Sequence, residues 1–138
     1  MSTRHNARVN TTRDWNTAVA TGLLRIAVGS VLLRWRRPLA VRLAGAAPDD
    51  SVVPALFGYF GARDIAVGVV TLASTRPDGD VAKAVALQGH ADATDVALVA
   101  VVMQRGRIPR NRGIGAIAVA AASAASEYLS ARNLRRAR

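Results

Sequence analysis

Three polar side chains share one face of the third apolar segment of the chain. Gln88, Asp92 and Asp95 stand at positions i, i+4 and i+7, which a helix places on a single stripe. A carboxyl group held in an apolar setting can accept a proton, bind a cation or act as a general acid. Asp92, Asp95 and, in the second segment, Asp64 are therefore the candidate catalytic residues, and their spacing leaves open whether the protein is an enzyme.

The carboxylates of the third segment are costly in a lipid bilayer. Each ionised aspartate costs about 2.5 to 3.5 kcal/mol at the centre of a membrane helix. The seven Val and Leu residues between Val85 and Val102 contribute only about 2 to 4 kcal/mol in return. This helix should not insert alone. A protonated carboxyl, a basic partner on another helix or a wet cavity must offset the deficit.

Helical phase indicates that the partner is Arg25 in the first segment. In the other segments, too, one stripe combines small residues, which allow close backbone approach, with one or two polar groups. These stripes are Gly22, Arg25 and Gly29; Gly58, Gly61, Asp64 and Gly68; and Ala116, Ala120, Ser123 and Glu127. We predict a bundle interior in which Arg25 faces Asp64, Asp92 and Asp95. Because the acids outnumber the base, the cluster could be an ion-paired core, a ligand or catalytic pocket, or a proton or ion path.

Arg63 and His90 are further candidates that the stripes do not explain. Arg63 lies about 100° round the helix from Asp64, so we expect it to pair with another helix or a subunit rather than with its neighbour. His90 lies roughly 160° from Asp92, which argues against a metal site and favours a core or interface histidine. Glu127 and His90 are secondary site candidates. The chain has no cysteine, and no motif for a cofactor or phosphate group, so we expect no metal and no cofactor.

The elements that must position these groups are four long apolar segments. They are Thr17 to Leu33, Val52 to Ser74, Val81 to Gln104 and Gly113 to Ala131. The middle two are long enough to cross about 30 Å of hydrocarbon, and the outer two are near the lower limit. Arg63 and Asp64 are the only charged residues between Val52 and Ser74, so that helix has no broad polar face for water. We predict an all-α, four-transmembrane-helix bundle.

The 138 residues form one domain at most, with 51% apolar residues and a net charge of +10. We divide the chain into a basic tail (residues 1–16), a membrane domain (residues 17–131) and a second basic tail (residues 132–138). The basic groups suit anionic lipid headgroups, and we expect such contacts from Arg105, Arg107, Arg110 and Arg112. Because no aromatic residues are interleaved with them, we expect no nucleic acid partner. A single lysine among the 19 basic residues is typical of a GC-rich coding sequence, which favours a bacterial plasma membrane.

Several of these short motifs resemble a known family. The motifs are Gly22-Leu23-Leu24-Arg25 with a glycine four residues on, Gly61-Ala62-Arg63-Asp64-Ile65-Ala66-Val67-Gly68, and Ala91-Asp92-Ala93-Thr94-Asp95. They resemble small, loosely DoxX-like integral membrane proteins with four helices and no assigned function. The resemblance implies the four-span architecture and a role for Arg25, Arg63, Asp64, Asp92 and Asp95, and it implies no reaction.

Together these observations predict a membrane protein whose buried Arg/Asp cluster binds or processes a small amphipathic or lipid-like molecule. The alternatives are an accessory subunit of a larger membrane complex and a proton or ion pathway. A membrane protein partner or a homo-oligomer is compatible with each of the three.

Overall fold

In the computed structural model, the backbone is described for residues 3–76 and 78–136 and the side chains for residues 15–76 and 78–132. Over that part of the chain the fold is all-α and contains no strand. The helices are α1 (Thr3–Arg34), α2 (Arg36–Leu39), α3 (Val52–Ala73), α4 (Val81–Gln104) and α5 (Arg110–Arg136). A π-helical turn, Ala40–Ala44, directly continues α2. The predicted all-α bundle of four long helices is confirmed.

Each long helix contains a stretch that is long and apolar enough to cross a membrane. The stretches are Trp15–Arg34, Val52–Ala73, Val81–Gln104 and Arg110–Arg132. Length and composition are therefore those of a multi-pass membrane protein. Helices α1 and α5 continue into both predicted tails, at least from Thr3 and to Arg136. Of the basic residues in the predicted tails, Arg132 is exposed on α5, and the side chains of Arg4, Arg8, Arg13, Arg135, Arg136 and Arg138 lie outside the described residues.

Helices α1 and α3 pack together at pairs of facing glycines. Gly22 lies opposite Gly68 and Gly29 lies opposite Gly61, and all four residues are buried. A Cβ atom built on Gly61 would lie 2.6 Å from the carbonyl oxygen of Gly29, so only glycine allows this approach. Glycine in a helix interior costs about 1 kcal/mol relative to alanine. The close packing it permits offsets that cost and confirms the predicted role of the small-residue stripe.

Helix α4 packs along α5, and the two helix pairs meet chiefly where α3 touches α4. Gly89 of α4 faces the carbonyl of Ala124 and the ring of Tyr128 on α5, and Gly113 of α5 faces Met103. Contacts between α1 and α4 are few. The seam between α3 and α4 therefore joins two close-packed pairs, while α1 and α5 lie on either side of a gap.

One end of the bundle is closed by the connection from α1 to α3. The π-helical turn ends at Gly45, whose φ of 68° is the left-handed conformation that favours glycine. The turn and the loop after α4 enclose a small apolar core made of Ala40, Ala44, Ala46, Val53, Val102 and Ile108, with Leu56 and Phe57 packed against it. This core gives the gap between the helix pairs a closed, apolar end.

Asp50 fixes the start of α3 at this same end. Its carboxylate accepts hydrogen bonds from the backbone N–H groups of Val52, at 2.7 Å, and Val53, at 3.1 Å. The guanidinium of Arg107 lies 3.3 Å from its other oxygen. The bonds from Val53 and Val52, with the Arg107 charge, hold the pKa of the Asp50 carboxyl below its usual range. Asp50 thus caps the helix and ties it to the loop after α4.

Candidate functional site

The interior of the bundle holds a network of six charged side chains, which we call the ionic cluster. Its members are Arg25 of α1, Arg63 and Asp64 of α3, Asp92 and Asp95 of α4, and Glu127 of α5. Each of the four long helices contributes at least one member. On α1, α3 and α4 these residues lie near the middle of the apolar stretches, so the cluster sits at the depth where unpaired charge costs most.

Arg25 links three helices to α1 through its guanidinium. It donates to Asp64 at 2.9 Å, to the two oxygens of Asp92 at 3.1 and 2.9 Å, and to Glu127. Its side chain is 11% exposed. The forked contact with Asp92 suits the planar arginine head, which presents parallel donors to a carboxylate. The predicted pairing of Arg25 with Asp64 and Asp92 matches this geometry.

Arg63 is the second basic residue of the ionic cluster. It donates to Asp95, to Asp64 at 2.7 Å and to the carbonyl of Ala91 at 2.8 Å. Arg63 thus pairs with a neighbouring helix, as we expected, but our expectation that it would not also pair with its neighbour Asp64 is wrong. Successive residues diverge at their Cβ atoms, but the long, flexible arginine side chain folds back far enough to span the difference.

The ionic cluster holds more acid than base. Four carboxylates, those of Asp64, Asp92, Asp95 and Glu127, face two guanidinium groups. Asp64 and Asp92 each touch both arginines, whereas Asp95 touches Arg63 and Glu127 touches Arg25. Two buried atoms of the cluster, Arg63 Nε and Glu127 Oε2, have no hydrogen-bond partner among the described residues. Buried polar atoms without a partner are rare in folded proteins, and a bound ligand, a water or a functional role can account for them.

A cavity of about 770 Å³ adjoins the ionic cluster, and all six of the cluster's members line it. The remaining wall is largely apolar and comes from every long helix, with Leu24, Val28, Leu32, Leu56, Phe57, Phe60, Val99 and Val119 among its residues. Leu24 of α1 is 64% exposed and Val119 of α5 is 73% exposed, although both line the cavity. The cavity therefore opens sideways between α1 and α5, toward the space that lipid chains fill around a membrane helix.

The small-residue stripe of α5 forms one wall of this cavity. Ala116, Ala120, Ser123 and Glu127 all line it, as their predicted common face requires. Gly115 lies on the same wall, and a Cβ atom built on it would meet no described heavy atom within 4 Å. Because the side chains on this face of α5 are small, they leave open a part of the cavity that larger side chains would occupy.

One predicted member of the site lies outside the ionic cluster, and a second has a different partner from the one predicted. Gln88 is buried outside the ionic cluster and donates to the hydroxyl of Thr71, at 2.5 Å. It occupies the predicted stripe one turn before Asp92 on α4, where it faces Thr71 rather than an arginine. Asp95 is in the cluster but contacts Arg63 instead of Arg25. Its position one turn beyond Asp92 brings it opposite Arg63.

His90 lies outside the core, contrary to one of its two predicted settings. It is exposed, with Nδ1 2.8 Å from the carbonyl oxygen of Ala86 and its ring 5.2 Å from that of Tyr128 in an edge-on contact. Its imidazole therefore points away from the carboxylates, as the helical angle predicts. Among the side chains that the structure describes, no group of three His, Cys, Asp or Glu residues is arranged to hold a metal ion.

The four arginines predicted to meet lipid headgroups lie around the closed end of the bundle. Arg105, Arg107, Arg110 and Arg112 are all exposed. Arg107 pairs with Asp50, and Arg112 donates to the carbonyls of Arg42 and Leu43, at 3.0 and 3.3 Å. Arg112 also lines the far end of the cavity. Two of these four side chains thus hold the loops together, whatever else they contact.

Sequence reasoning missed two parts of the site. The aromatic wall formed by Phe57 and Phe60 was not anticipated, although both residues share a helix with Asp64. The Thr71–Gln88 bond was also missed, although both residues lie on the helices joined by the short α3–α4 connection. Antiparallel helices bring together residues that lie at similar distances from their connection. Counting residues outward from the α3–α4 connection could therefore have indicated this contact.

No protein-family model matches the chain, and no curated protein or solved structure matches it either. The resemblance to DoxX-like proteins therefore rests on the short motifs quoted above, and the site is interpreted from its own geometry.

Proposed function

We propose that this protein binds a small amphipathic or lipid-like molecule within the membrane. The observation that carries the proposal is the cavity of about 770 Å³, with charged groups at one part and apolar walls along the rest. Its volume falls in the range of ligand pockets, about 300 to 1,000 Å³. An apolar wall with a few convergent polar groups is also the usual composition of such pockets.

The sideways opening supports a ligand that arrives from the bilayer. Exposed Leu24 and Val119 lie on the two helices that border this opening, so a hydrocarbon chain that enters there meets apolar side chains on both sides. A water-soluble ligand would have to cross the apolar wall or the closed end. An amphipathic molecule dissolved in the membrane would instead place its polar group against the ionic cluster and its chain against the wall.

The cavity favours ligand binding over the accessory-subunit alternative. A purely structural role would leave the ionic cluster fully paired and packed, whereas here it faces a cavity and has two buried atoms without partners among the side chains that the structure describes. We also propose that this membrane is the plasma membrane of a bacterium. The support is the single lysine among the 19 basic residues, which is typical of a GC-rich coding sequence.

The test is mild extraction of the protein followed by native mass spectrometry. The matched variants are Gly115→Leu, which places a bulky side chain in the cavity wall, and Ala118→Leu, which adds the same side chain to an exposed position of α5 outside the cavity lining. A bound small molecule should accompany the wild type and Ala118→Leu, and its occupancy should fall at least tenfold in Gly115→Leu. Equal occupancy in all three proteins, or no bound molecule in any, would contradict the proposal.

A further inference from the structure

From the charge of the ionic cluster we infer that the ligand carries a cationic headgroup, such as a protonated amine, on a hydrocarbon chain. The inference rests on the proposed function, because it concerns the polar group of the molecule that occupies the same cavity. It specifies the ligand's charge and its orientation, neither of which follows from the shape of the cavity.

The first argument is charge complementarity. When all its groups are ionised, the ionic cluster has two negative charges more than positive ones, because four carboxylates face two guanidinium groups. Such an excess is unfavourable at mid-membrane depth, where charges need partners. A cationic headgroup reduces this excess of negative charge. An anionic headgroup would raise it, so a phospholipid phosphate or a fatty acid carboxylate is a poor occupant.

The second argument is the acceptor that the ionic cluster leaves free. Glu127 is bound through one oxygen to Arg25, while its other oxygen, Oε2, is buried and has no partner among the described residues. The Glu127 side chain lines the cavity and is only 13% exposed. A protonated amine supplies the donor that this oxygen lacks, and a charge-assisted bond of this kind is about twice as strong as a neutral one.

The opposite end of the cavity fixes the direction of the ligand. Arg112 lies there, with its guanidinium held by the carbonyls of Arg42 and Leu43, and the cavity lining beside it is apolar. A cation is repelled from that end and attracted to the ionic cluster. From Asp64 back to Leu56, both in the lining, α3 rises about 12 Å, which is the length of wall available to a medium-length alkyl chain.

The probes are decylamine, decanol and decanoic acid, which share one chain and differ in headgroup charge at pH 7. Each is titrated into the protein in nanodiscs of zwitterionic phosphatidylcholine, and bound probe is counted by native mass spectrometry. Gly115→Leu measured in parallel reports partition into the bilayer, so site binding is the difference from wild type. Decylamine should bind at least about tenfold more tightly than decanol, and decanoic acid should bind most weakly.

Glu127→Gln tests the cluster's part in this preference. The substitution keeps the side-chain size and removes one negative charge, so the preference for decylamine over decanol should fall about tenfold while decanol affinity stays unchanged. Circular dichroism confirms that the variant is folded before it is titrated. Should Glu127→Gln prove unfolded, the comparison of the three probes on wild-type protein decides the question alone.

The outcomes separate the two proposals. If decanol or decanoic acid binds as tightly as decylamine, and Gly115→Leu abolishes that binding, the cationic headgroup is wrong and the cavity's function stands. If Gly115→Leu abolishes the binding of no probe, both proposals fail. An unchanged amine preference in folded Glu127→Gln also overturns the inference.

Discussion

Replacing Arg25 by alanine should destabilise the folded bundle by about 3 to 5 kcal/mol, the range measured when one partner of a buried ion pair is removed. The Arg25 side chain is 11% exposed, so solvent screens its interactions little. Its loss removes three hydrogen bonds of 2.9 to 3.1 Å to Asp64 and Asp92 and the bond to Glu127. Asp64 and Asp92 keep contacts with Arg63, whereas Glu127 loses its recorded ion-pair partner. The expected loss corresponds to roughly two to three and a half decades in the folding equilibrium.

The assay is unfolding of purified protein in mixed micelles by added dodecyl sulfate, followed through helical circular dichroism. Arg37→Ala is the matched control, because Arg37 is exposed on α2 and its truncation should change stability by no more than about 0.5 kcal/mol. The double variant Arg25→Ala with Glu127→Gln should regain part of the loss, since it removes the stranded charge. If Arg25→Ala unfolds at the same detergent fraction as Arg37→Ala, the ionic cluster does not stabilise the bundle and the reasoning is refuted.

Three further predictions use the same unfolding titration. Asp92→Asn should destabilise the protein by about 1 kcal/mol more than Asp95→Asn, because Asp92 contacts both arginines and Asp95 contacts one; equal losses would contradict the unequal pairing. Gly61→Leu should cost about 1 to 3 kcal/mol or more, because its side chain would force α1 and α3 apart, while Gly115→Leu, which meets open space, should leave stability unchanged or higher. Asp50 has a pKa below its unfolded value, so its stabilising contribution is present above the ordinary value of 3.8 and is lost as the pH falls through the folded pKa. Asp50→Asn should lack that part of the acid dependence, and an acid profile identical to the wild type would argue against the cap.

The helices and their inward faces could be predicted from the sequence because the signals for them are local. Long apolar runs set the spans, and glycine spacing marks the packing face: Gly22 and Gly29 are seven residues apart on α1, as are Gly61 and Gly68 on α3. Arg25 lies on the same face as its glycines, so its burial followed from phase alone. These inferences need only the helical period and the high cost of charge in hydrocarbon.

The pairing of each carboxylate with a particular arginine could not be predicted, because it depends on how far the helices are shifted relative to one another along the bundle axis. A shift of one turn, about 5.4 Å, exchanges one carboxylate for the next. Asp95 therefore meets Arg63 instead of Arg25, and Gln88 meets Thr71 instead of the cluster. The reach of the Arg63 side chain back to Asp64 is a second cause, since a helical wheel gives directions at Cβ and ignores side-chain length.

The direction in which the chain is made gives the ionic cluster an additional consequence. Protein chains emerge from the ribosome N-terminus first, so α1 and α3 reach the membrane before α4 and α5. These two helices carry the guanidinium of Arg25 and the ion pair of Arg63 with Asp64, in which the two charges cancel. Helix α4, whose own apolar residues do not balance its aspartates, is therefore made after Arg25, the counter-ion of Asp92, has reached the bilayer. The earlier half of the protein thereby serves as the insertion aid for the later half.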